Sequence, residues 1–189
     1  VRRKRCVRQV LQMSLCLVVL FFVMVMGTAC TKAEQQTFGT NGDGFYSVIG
    51  VPTITVSKID SILCNAGSPA CGTGKSLYDL GVQYTINPVY ALAWFRQEST
   101  YGTAGVARST HALGNIQCSH GYACYQGFRS YSGWVVGYED WYKLIAGPVY
   151  VGSGLTTVNA IAQKYAPSGS NNTIQYVRSI ESFVDSCSA

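Results

Sequence analysis

Apolar and polar positions divide the chain into four stretches. Residues 1–9 are basic, and Val10 to Ala29 is almost free of polar groups, with Leu15 to Met26 unbroken. Residues 31–45 are polar and glycine-rich and read as a linker. From Tyr46 onward the pattern is mostly helical. A short helix is predicted around Ser57–Leu63. Leu77, Leu80 and Tyr84 share one face of a second, over 74–84. Asn87-Pro88 is a start signal, an N-cap followed by Pro at the first helical position. The helix it opens, Val89 to Phe95, is apolar on every side, as expected of the buried centre of a fold. It runs into Arg96-Gln97-Glu98-Ser99 and stops at Gly102 and Gly105.

Residues 101–133 lose the helical period and read as loops with a small hairpin. Helices resume with Trp134, Tyr138, Trp141 and Ile145, spaced i, i+4, i+7 and i+11. Val158, Ile161, Ala162 and Tyr165 mark another, and Ile174, Val177, Ile180 and Val184 a last one. The fold class expected is mainly α (α+β): a central buried helix, a small loop and hairpin lobe, and C-terminal helices. With 189 residues this is one domain plus appendages. The divisions are 1–29 as signal peptide or membrane anchor, 30–45 as linker and 46–188 as the globular domain.

Charge changes the picture of the first stretch. Hydrophobic residues make up 48% and charged residues 12%, which excludes a disordered polyelectrolyte. The formal net charge is +5, which by itself would suggest nucleic acid or an anionic membrane. Arg2, Arg3, Lys4, Arg5 and Arg8 account for all of it. The rest of the chain is balanced, with no support for nucleic-acid capture. A charged start, an apolar middle and the small residues Gly27-Thr28-Ala29 form the order of a secretory signal. The tripeptide before Cys30 is similar to a bacterial lipoprotein processing box, with Gly27 where Leu is usual. Lipidation at Cys30 is one outcome and its absence the other. Membrane contact is expected only through the leader or such an anchor, and the location is extracytoplasmic, secreted or held on the bacterial cell surface.

Export decides how the cysteines are read. Outside the cytoplasm paired thiols oxidise. Cys64/Cys71 and Cys118/Cys124 are each close enough to close a short loop. The rival for the second pair is a metal site with His111 and His120, whose spacing matches no common zinc pattern. Cys187 is left to pair with Cys30 only if Cys30 carries no lipid. Both histidines fall in loops and read as exposed.

Glu98 is the candidate for chemistry. It follows the aromatic run by three positions and sits at a helix C-terminus. Burial and the negative end of the helix dipole both disfavour its ionised form. A general acid working near neutrality needs that raised pKa. Arg96 is two positions away and points elsewhere on a helix. The alternative is a solvated helix end.

The run Tyr90-Ala91-Leu92-Ala93-Trp94-Phe95-Arg96-Gln97-Glu98-Ser99-Thr100-Tyr101-Gly102-Thr103, followed by Leu113-Gly114-Asn115-Ile116 and Tyr165-Ala166-Pro167, resembles the glucosaminidase domain. This is the mannosyl-glycoprotein endo-β-N-acetylglucosaminidase-like family of peptidoglycan hydrolases, of lysozyme-like fold. The resemblance covers about Ser57 to Asp185. The Glu-Ser pair is also similar to that of soluble lytic transglycosylases. The resemblance implies that Glu98 protonates the glycosidic oxygen and that Tyr165 faces the cleft beside it. It implies that Asn115 lines the floor, and that Ser99 and Gly102 shape the end of the catalytic helix. It implies no metal or organic cofactor. The partner is peptidoglycan or a related N-acetylated glycan, acted on by a monomer. Tyr101, Tyr125, Tyr131 and Trp134 add aromatic faces suited to sugar C–H surfaces.

Glycoside hydrolysis normally uses two carboxylates, about 5–5.5 Å apart for retention or about 6.5–9.5 Å for inversion. No Asp or Glu occurs between Ser99 and Tyr138. Glu139 and Asp140 read as a helix face. Three outcomes stay open: assistance by the substrate's own N-acetyl group, a lytic transglycosylase using Glu98 alone, or glycan binding without cleavage.

Overall fold

The computed structural model describes residues 45–169 and 172–187. The leader, Cys30 and the linker up to residue 44 lie outside the described residues. Helix α1 (Val56–Asn65) begins where the Thr55 hydroxyl accepts from the Lys58 amide at 3.2 Å, and it buries Ile59 and Leu63. Helix α2 (Gly74–Tyr84) starts against α1: the Asp60 carboxylate accepts from the Gly74 amide at 2.7 Å. A Cβ at residue 74 would fall 2.7 Å from that carboxylate oxygen, so only glycine permits the contact. The Cys64–Cys71 disulfide closes the turn between the two helices.

Helix α3 (Pro88–Ser99) is the centre, as its all-round apolar pattern predicts. Asn87 caps it, its Oδ1 accepting from the Val89 amide at 3.2 Å, and Pro88 fills the first position. Every residue from Pro88 to Phe95 is buried. The α3 helix packs on α2 and on the last helix. Trp94 and Phe95 are almost wholly inside. Burying each such side chain stabilises the fold by about 1.5–3 kcal/mol. Thr100 ends the helix in the left-handed conformation.

The segment after α3 holds a short helix α4 (Ala107–Thr110), which the sequence reading treats as loop. Strands β1 (Cys124–Tyr125) and β2 (Phe128–Arg129) then pair antiparallel, Cys124 opposite Arg129 and Tyr125 opposite Phe128. Gln126 and Gly127 connect them, both at positive φ, which fits a tight two-residue hairpin turn. The Cys118–Cys124 disulfide pins the hairpin to the preceding loop.

Helix α5 (Trp134–Ala146) buries Tyr138, Trp141 and Ile145, as the spacing predicts, and Tyr142 besides. Helices α6 (Val158–Tyr165) and α7 (Thr173–Cys187) complete the core. The inward face of α7 differs from the one expected. Ile174 is 61% exposed, while Tyr176, Val177, Ile180, Phe183 and Val184 face inward. The fold is mainly helical with one small hairpin, and it carries two disulfides, which form and persist in oxidising surroundings. No helix among the described residues is long and apolar enough to cross a membrane.

Candidate active site

The site assembles around the last turn of α3. Trp94, one turn before Glu98, packs against Trp141, Tyr165 and Tyr176 with ring centroids 6.1–6.3 Å apart. Glu98 sits half-buried beyond this aromatic cluster. Burial pushes its carboxyl above the usual carboxylate range, and a hydrogen bond from Tyr176 opposes part of that rise. The Tyr176 hydroxyl donates to Glu98 Oε1 at 2.5 Å. Among the described residues no basic group lies within ion-pair distance of Glu98. The exposed Arg96 turns away, its guanidinium 5.5 Å from the Phe183 ring.

The segment that follows α4 is fastened directly to this helix end. Ser99 is buried, its hydroxyl donating to the Leu113 carbonyl at 2.8 Å and accepting from the Gly102 amide at 2.9 Å. The Asn115 amide donates to the Glu98 carbonyl at 2.7 Å. The Tyr165 hydroxyl donates to the Gly114 carbonyl. Gly114 has no room for a side chain, since a Cβ there would lie 2.4 Å from the Trp141 ring. Glu98, Asn115 and Tyr165 are therefore held together by three elements distant in sequence.

They open onto a cleft of about 540 Å³. Ile116, Gln117, Phe128 and Arg129 line it from the hairpin lobe, and Leu144, Tyr150 and residues 164–167 from the helices. Among the described residues Glu98 is its only lining carboxylate. Glu139 is held by Lys143 at 2.7 Å on the surface of α5. Asp140 is more heavily engaged: it accepts from Arg129 at 2.8 Å, Tyr131 at 2.6 Å and Tyr122 at 3.0 Å. This carboxylate ties the hairpin lobe to α5.

Several proposed sugar contacts lie elsewhere. Tyr101 is 5% exposed and packs into the core, so its ring offers no face to a ligand. Gly102 is buried at φ +82°, and a Cβ there would meet Leu113 at 2.7 Å, a shaping position like Ser99. Trp134 is half-buried against His111, ring centroids 4.8 Å apart. That contact also makes His111 half-buried rather than exposed, and its Nδ1 lies 3.0 Å from the Tyr131 carbonyl. Tyr131 itself is bound to Asp140. Tyr125 stands exposed on the hairpin, outside the cleft lining. Cys118 and Cys124 are joined to each other rather than presented as ligands. Cys187 forms no disulfide among the described residues. Sequence reasoning passed over Tyr150, Lys164, Arg129 and, nearest to Glu98, Tyr176. No family model matches this chain, and no curated protein does.

Proposed function

We propose that the protein is a glycosidase of lysozyme-like fold, acting on β-1,4-linked N-acetylated glycan such as bacterial peptidoglycan outside the cytoplasm. Glu98 is its general acid. The observation that carries the reading is the environment of Glu98: a half-buried carboxyl, raised by burial, free of any basic partner among the described residues, facing an open cleft. A carboxyl in that state is protonated at a pH where an exposed one is not. It can donate its proton to the glycosidic oxygen as the bond from the sugar's anomeric carbon breaks. The Tyr176 bond to Oε1 fixes the carboxyl and leaves Oε2 for the substrate.

With a single carboxylate lining the cleft among the described residues, the second half of the reaction falls to the substrate and to Glu98 again. The substrate's N-acetyl oxygen attacks the anomeric carbon as the leaving sugar departs with the Glu98 proton. The Glu98 carboxylate then takes a proton from the incoming nucleophile. If that nucleophile is water, the product has a reducing end. If it is the sugar's own 6-hydroxyl, the product is a 1,6-anhydro sugar, the lytic transglycosylase outcome. The two products differ by one water in mass. A Glu98→Gln variant tests the common step: clearing of purified cell walls should fall by about 10²–10⁴-fold, the range for loss of a general acid. Wall binding without clearing by the wild-type protein would favour a glycan-binding role.

A further inference from the structure

The charges lining the cleft are lopsided. Among the described residues its lining holds one acid, Glu98, and two basic side chains, Arg129 from the hairpin and Lys164 from the last turn of α6. Arg129 is already neutralised, since Asp140 holds it at 2.8 Å and both side chains are only 13% exposed. Its guanidinium also lies over the Tyr122 ring at 3.8 Å. Lys164 differs: among the described residues no carboxylate stands within ion-pair distance of it. Its ammonium is nonetheless held in place. It donates one hydrogen bond to the Val149 carbonyl at 3.0 Å and lies 5.8 Å from the centre of the Tyr150 ring. An ammonium has three donors, so two remain for a ligand. The next residue in the chain is Tyr165, which reaches the turn beside Glu98.

We propose that the cleft takes a glycan bearing carboxylates, and that Lys164 binds one of them. This deepens the glycosidase reading above and rests on it. A neutral N-acetylglucosamine polymer offers Lys164 only the dipoles of hydroxyls and carbonyls, whereas a carboxylate adds the attraction of two full charges to the hydrogen bond. Two sources supply such a carboxylate in cell-wall glycan: the lactyl ether of sugars that carry no stem, and, where a stem has taken that carboxyl into an amide, the carboxylates of the peptide itself.

The test compares kcat/KM on three substrates: strands with peptide stems, strands stripped of stems that retain lactyl carboxylates, and neutral β-1,4-linked N-acetylglucosamine oligosaccharides. The wild-type protein should prefer a carboxylate-bearing strand over the neutral one. Lys164→Gln should shrink that preference about tenfold, the loss expected for a charge-assisted hydrogen bond, and Lys164→Arg should restore part of it. Stripped strands cut better than intact ones assign the lactyl carboxylate, which a stem consumes in an amide; a preference for intact strands assigns the stem carboxylates, and equal cutting of both means that either carboxylate serves. A wild type that cuts the neutral oligosaccharide equally well, or a preference untouched by Lys164→Gln, overturns the role of Lys164 and leaves the glycosidase reading standing. A wild type that cuts none of the three removes the glycosidase reading and this one with it.

Discussion

A carboxyl raised by burial costs the folded protein stability once it ionises, and Glu98 should show this directly. Unfolded, it titrates at the ordinary value of 4.5; folded, it titrates higher. Below 4.5 both states are protonated and burial carries no ionic penalty. As pH rises through the folded value, the wild-type protein alone loses stability, because the unfolded chain releases its proton first. Glu98→Gln removes that loss. Thermal unfolding should find the variant more stable than wild type at pH 8, with the gap closing as pH falls toward 4.5. A gap that does not change with pH would contradict the burial argument. Tyr176 supplies the second prediction. Its hydrogen bond favours the carboxylate form and so lowers the Glu98 pKa. Tyr176→Phe should move the alkaline limb of the pH–rate profile to higher pH. A shift to lower pH would mean that the bond stabilises the protonated acid instead.

At the scale of elements, how much could be read in advance depended on how many periods each one offered. The face of α3 needed no assignment, because Val89 to Phe95 is apolar throughout, and Asn87-Pro88 fixed its start. The stripe on α5 was legible over three turns. The stripe on α7 was misplaced by its first residue. Counting Tyr176 as apolar gives positions i, i+1, i+4, i+7 and i+8, a fuller face than the one begun at Ile174. A tyrosine is apolar in its ring and polar at its tip, and here the tip has a partner in Glu98. That partner lies 78 positions away and leaves no local signal. Tyr101 and Trp134 failed the other way: in a glycine-rich loop their aromatic character suggested ligand contact, whereas long-range packing turned them inward. The hairpin, with its two-residue turn and short disulfide, was the most local feature and was anticipated. Its disulfide also carries a prediction. A Cys118→Ser/Cys124→Ser double variant should lose about 2–3 kcal/mol by the loop-closure argument, measured by denaturant unfolding. Since Phe128 and Arg129 line the cleft from this hairpin, its glycan kcat/KM should fall too. Unchanged kinetics would show that the backbone bonds of the lobe and the Asp140 contacts hold it without the disulfide.

For the whole molecule, the scarcity of acids matters more than the net charge. The first eight residues carry an excess of +5, and the remaining 181 hold nine basic and nine acidic groups. Among the seven of those acids that lie in the described residues, Glu98 alone lines the cleft, while Asp140 fastens the two sides of that cleft together. A single carboxylate between a helical half and a disulfide-pinned hairpin is the arrangement on which the mechanism turns. The measurement that tests it most directly is mass spectrometry of the soluble fragments released from purified cell walls by wild type and by Glu98→Gln, with wall binding measured in parallel. Wild type should release glycan fragments, ending either in reducing sugars or in 1,6-anhydro sugars, while Glu98→Gln binds the wall and releases almost none. Fragments appearing equally with Glu98→Gln, or no fragments from wild type across the pH range, would contradict Glu98 as the acid of a glycosidase.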